Sequence, residues 1–222
     1  MRSRKRAPRV AVVVGLVALS AALAALSAAC GGVGGGNDAA QTPTATASRS
    51  PGLEEVLIVV PDEDFQQIEY KAVVDALKTA GYPLVIANRE GGDSFSGDVA
   101  VRSDLTIADA DAADYEAVVL IGGPGAAALF DDVDLQRLVR TAAADGKVVA
   151  AICLAPVVLA RAGVLEGRQG TVWEDEVAAL ESEGCTVVGA PVVTDGLIVT
   201  GNGPEAAEEF AATVVEKLQS RQ

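Results

Sequence analysis

The chain has 222 residues, with 31 acidic against 17 basic side chains, three cysteines and no histidine. A net charge of −14 makes nucleic acid and anionic lipid surfaces poor partners. Without histidine, and with no cluster at metal-ligand spacing, a zinc or iron enzyme is not expected, and no cofactor is implied.

The N-terminus reads MRSRKRAPRVAVVVGLVALSAALAALSAAC. Arg2, Arg4, Lys5, Arg6 and Arg9 form a basic head, and Val10 to Ala29 is an uncharged apolar run. Residues 1–29 therefore read as an export signal. The run is long enough to span a bilayer, which leaves an uncleaved membrane segment as the alternative. Its end, LSAAC, followed by GGVGGGNDAAQTPTATASRSPG, looks like a bacterial lipobox with a flexible tether over residues 30–52. Ser27 stands where such boxes usually carry leucine. On that reading Cys30 is the lipidation site, and the N-terminal anchor holds the rest of the chain at the extracytoplasmic face of the cell membrane. Loss of residues 1–29 removes five basic residues and no acidic one, leaving 12 against 31 and a net charge of −19.

Residues 53–222 have the length of one ordinary domain. EVLIVV (Glu55–Val60) is expected as a buried strand, followed by a helix with the stripe Val73, Ala76, Leu77 and Ala80 that stops at Gly81. PLVIAN follows as a second strand, with a short strand expected near Val99 to Leu105. EAVVLIGG (Glu116–Gly123) is a buried strand ending in glycines, Asp132 to Ala144 is helical, and KVVAAI is again a strand. A helix is expected over Ala155 to Ala162 and a short one over Asp175 to Glu183. CTVV, APVV and LIVT then read as strands, with a turn at Asp195-Gly196. The last helix carries Ala207, Phe210, Ala211, Val214, Val215 and Leu218 on one face. Strands separated by helices imply a mostly parallel α/β sheet covered on both faces, a three-layer sandwich. Such sheets place their sites at the carboxyl ends of strands.

Cys153 falls at such an end. In VVAAICLAPVVLARAG (residues 148–163) it lies at the bend between a strand and a helix whose first turn suits Pro156. Free cysteine is among the most buried residue types, so core packing is one reading. A nucleophile is the other, because helix N–H groups lower a thiol's pKa. Outside the cytoplasm a Cys153–Cys185 pair also invites a disulfide. Cys185 precedes a strand where Cys153 follows one, so parallel strands would put them at opposite sheet edges and no bond is expected.

Taken together, DFQQIEY (Asp64–Tyr70), LIGGPG (Leu120–Gly125), AAIC (Ala150–Cys153) with Pro156, AGVLEGRQGT (Ala162–Thr171) and DGLIVTGNGP (Asp195–Pro204) resemble the ThiJ/PfpI family, also called the DJ-one family. The resemblance covers nearly all of residues 53–222. It implies a flavodoxin-like, class I glutamine amidotransferase-like fold. It implies that Cys153 is the elbow cysteine and that Glu69 approaches its thiol. It also implies that Gly122 and Gly123 border an anion pocket, with the Gly123 and Leu154 N–H groups as donors. Taken one at a time, Glu69 reads better as a solvated helix residue and the glycines as a simple turn; together with Cys153 at one sheet edge they favour a site. Members of the family include proteases or chaperones, glyoxalase-like and deglycase-like enzymes, and oxidative-stress proteins.

The departures from that pattern narrow the function. Peptide-hydrolysing members carry histidine directly after the cysteine, where this chain has Leu154. Others place a histidine where Trp173, the only tryptophan, stands. Ala155 and Asn202 replace a frequent glycine and arginine. A Cys-His mechanism needs an imidazole, so peptidase activity of that type is not expected, whether from one chain or from a homodimer, which is left open. A small-molecule-binding or redox-responsive module with a reactive Cys153 is one expectation. A cysteine-dependent glyoxalase or deglycase acting on small carbonyls is the other. Trp173 is expected to wall a narrow, dry pocket.

Overall fold

The computed structural model describes residues 55–221. The expected export signal and tether, with Cys30, lie outside the described residues. Among the described residues no helix is long and apolar enough to cross a membrane.

In chain order the elements are β1 (Val56–Val59), α1 (Gln67–Thr79), β2 (Leu84–Asn88), β3 (Asp93–Ser96), β4 (Val99–Arg102), β5 (Leu105–Thr106), β6 (Ala117–Leu120), α2 (Val133–Ala144), β7 (Val148–Ile152), α3 (Pro156–Arg161), β8 (Gln169–Gly170), α4 (Val177–Ser182), β9 (Thr186–Val187), β10 (Val192–Asp195), β11 (Ile198–Gly201) and α5 (Ala207–Gln219). Seven strands form one sheet in the order β10-β11-β7-β6-β1-β2-β5. Every neighbouring pair is parallel except the β10–β11 hairpin, which turns through Gly196 at φ 64°.

β1, β6 and β7 are buried along their whole lengths, as strands covered on both faces must be. Their alternating side chains feed two separate cores. Leu57, Val59, Val118, Leu120, Val149 and Ala151 pack with Leu135, Leu138 and Leu159 of α2 and α3 on one face. Val56, Ile58, Val119, Val148, Ala150 and Ile152 pack with Val73, Leu77, Phe210 and Val214 of α1 and α5 on the other. This is the flavodoxin-like sandwich expected from the sequence.

Three expectations need correction. CTVV does not join the central sheet, because β9 pairs only with β8 in a two-stranded ladder. Cys153 and Cys185 are therefore kept apart by the sheet itself, one in each core, and both thiols are free. The strand near Val99 is two, with β4 paired antiparallel to β3 and β5 added to the sheet edge beside β2. β3 went unread because DSFS offers little apolar alternation, and its burial pattern shows a single fully buried residue, Ser94. The helix over 175–183 is shorter as well: a 3₁₀ turn (Glu174–Glu176) leads into α4.

Candidate active site

Cys153 follows β7 directly and adopts φ 63°, a left-handed conformation that costs a side-chain-bearing residue about 1–3 kcal/mol. Hydrogen bonds on both sides hold it there. Its N–H donates to the Gly201 carbonyl at the end of β11, and its own carbonyl accepts from the Trp173 N–H, each at 2.9 Å. Pro156 opens α3 as its first residue, so the chain bends between Ile152 and Pro156 and the sulfur projects at the carboxyl edge of the sheet.

Glu69 reaches the same edge from α1, where it occupies the first turn and is fully buried. Two hydrogen bonds clamp that turn to the end of β6. The Gln66 N–H donates to the Gly122 carbonyl at 2.9 Å, and the Gly122 N–H donates to Glu69 Oε2 at 3.1 Å. Only glycine fits between acid and thiol. A Cβ on Gly122 would lie 2.5 Å from Cys153 Cβ and 2.8 Å from Glu69 Oε2. Gly123, at φ 106°, has no room either, since its Cβ would fall 2.4 Å from the Asp64 carbonyl oxygen. Asp64, itself left-handed at φ 49°, is a supporting residue whose conformation nothing in DFQQ announces.

Burial dominates the electrostatics. It raises the Glu69 carboxyl to about 7, against the smaller lowering effects of the Gly122 N–H and the Cys153 thiol. Burial, then the Glu69 charge, pushes the Cys153 thiol up to about 11, although hydrogen bonds from the Gly123 and Leu154 N–H groups pull it down. Of the two readings of Cys153, a thiol lowered by its helix end and a buried core cysteine, burial sets the direction. The donors are present, but a cysteine 7% exposed beside a carboxylate loses more from desolvation and repulsion than two N–H groups return. Acid and thiol flank Gly122, where one added Cβ would meet both, and at that proximity they titrate as a coupled pair. Glu69 Oε1 has no hydrogen-bond partner among the described residues.

The structure thus brings Cys153, Glu69, Gly122, Gly123 and Leu154 together. Trp173 joins them through its backbone only. Its indole packs over Gly203, whose Cβ would approach Cε3 to 2.9 Å, and lines an adjoining groove that excludes Cys153 and Glu69. At 37% exposure it does not dry a closed pocket over the sulfur, as the sequence had suggested. Among the described residues no three His, Cys, Asp or Glu side chains are grouped to hold a metal ion.

A model of the DJ-1/PfpI family matches residues 54–217. The chain belongs to the DJ-1/PfpI family. Protein dj-1beta of Drosophila melanogaster is 32% identical over 173 residues, covering 77% of this chain and 92% of that protein. The glutathione-independent glyoxalase DJR-1.2 of Caenorhabditis elegans is 27% identical over 168 residues, 75% of this chain and 89% of that one. Among solved structures, a ThiJ/PfpI domain protein from Brachyspira murdochii superposes with a TM-score of 0.74 at 30% identity, covering 76% of this chain and 99% of that chain. Within this DJ-1/PfpI domain the strained Cys153 and the buried Glu69 form the candidate centre.

Proposed function

We propose that this DJ-1/PfpI domain is a redox-responsive, small-molecule-binding module, held outside the cytoplasm by its N-terminal anchor, with Cys153 as the reacting atom. The observation that carries the reading is the buried Glu69 within reach of the Cys153 thiol, its carboxyl raised to about 7. A base poised near neutral pH is suited to moving a proton. The peroxide step balances with these two groups. Glu69 takes the thiol proton as sulfur attacks one peroxide oxygen. The O–O bond breaks, hydroxide leaves and receives that proton as water, and Cys153 becomes a sulfenic acid. Sulfur gives two electrons and the peroxide accepts them. Sub-stoichiometric peroxide followed by peptide mass mapping tests the reading. One added oxygen should be found on Cys153 well before any on Cys185, which is also buried but has no buried acid beside it, only the half-buried Asp195 and the exposed Glu181, whose charges raise its thiol further. Equal, slow oxidation of both would refute it.

The second reading is isomerisation of a 2-oxoaldehyde, supported by the DJR-1.2 glyoxalase among the relatives. Cys153 would add to the aldehyde carbon to give a hemithioacetal. Glu69 would carry a proton between the two carbons to give a thioester, which water hydrolyses to a 2-hydroxy acid. With no histidine in the chain, Glu69 alone would have to relay every proton, and slow turnover is expected.

Anchoring rests on LSAAC and the glycine-rich tether. Intact mass of the membrane-extracted chain reads it. A product beginning at diacylglyceryl-Cys30 supports lipidation, and one retaining residues 1–29 makes the anchor transmembrane.

A further inference from the structure

We infer that the groove walled by Trp173 is a binding site for a small organic cation. The groove has a volume of about 390 Å³; Trp173, Val177, Val187 and Pro204 give it apolar walls, Thr171 and Asn202 are neutral polar lining, and Glu174 and Glu205 are its only charged residues. No lysine or arginine lines it. That volume lies within the range of small-ligand sites.

Three properties converge on a cation. The indole is held in place against Gly203, where only glycine leaves room for the ring, yet remains 37% exposed. An aromatic face of this kind attracts positive charge through its quadrupole, tryptophan most strongly. Glu174 and Glu205 are exposed, and neither has an ion pair or hydrogen bond to its carboxylate among the described residues. The apolar walls of Val177, Val187 and Pro204 suit the methyl or methylene surface that accompanies charge in a quaternary ammonium, and they disfavour a strongly hydrated metal ion. An anion would meet two carboxylates and no compensating base. The site is distinct from the Cys153 chemistry, because neither Cys153 nor Glu69 lines it.

The chain's single tryptophan provides the readout. Choline, titrated into the full chain at constant ionic strength, should change the indole emission saturably. The uncharged alcohol in which a tert-butyl group replaces the trimethylammonium head should not compete. Replacing both carboxylates (Glu174→Gln with Glu205→Gln) should weaken choline binding roughly tenfold, about 1.4 kcal/mol. Cys153→Ser should leave it unchanged, which separates this site from the redox reading. An equal response to the neutral alcohol, an unaltered double variant, or no saturable response would each overturn the assignment.

Discussion

Replacing Glu69 with glutamine is expected to stabilise the domain by about 3 kcal/mol in mildly alkaline solution, and to change little in acid. The carboxyl has a folded pKa of about 7 against 4.5 for the free side chain. A folded-state value raised in this way means that the native state holds the proton more tightly. Its contribution to stability is complete below 4.5 and is lost as pH climbs to about 7. A shift of that size corresponds to about 3 kcal/mol at 1.36 kcal/mol per unit, and full burial of the side chain leaves no solvent screening to discount. Glutamine keeps an oxygen for the Gly122 N–H and carries no charge to desolvate. Denaturant unfolding of wild type and Glu69→Gln across this range should show two curves that converge at low pH and separate through pH 5–7. Parallel curves, or a wild type that gains stability as pH rises through this window, would place the ionised acid in a favourable environment and contradict the burial argument.

That cost explains why Glu69 is a better functional candidate than its sequence context suggested. Helix first turns commonly carry acids, so a glutamate three residues after the Gln66 cap reads as a solvated dipole partner. What buries it is the approach of Gly122 from the end of β6, a contact 53 residues away in the chain. Local pattern carries no such information, and only the family resemblance pointed to it. The strands were legible for the opposite reason. β1, β6 and β7 are short runs buried on both faces, so composition alone marks them, and the Pro156 start of α3 marks the bend at Cys153.

The remaining features depend on contacts that local pattern does not record. β8 and β9 have two residues each, too few for periodicity, so the separate ladder that removes Cys185 from the central sheet left no trace. The thiol's pKa direction is not legible in the sequence, because the helix-end rule counts donors and ignores burial, which here outweighs them. Trp173 aligned with a histidine position, but its side chain follows Gly203 into the neighbouring groove. A residue's partner in space decided each case.

If Cys153 and Glu69 share one proton, the pH profile of Cys153 alkylation measures it most directly. With iodoacetamide and mass-resolved labelling, the wild-type rate should rise in two steps. The first lies near pH 7, where the pair loses its first proton and a fraction of the remaining charge resides on sulfur. The second climbs toward 11, where the thiol ionises beside the carboxylate. Glu69→Gln should abolish the first step and move the remaining titration below 11, because the repelling charge is gone. A single thiol titration, the same in wild type and variant, would mean the two groups do not share a proton.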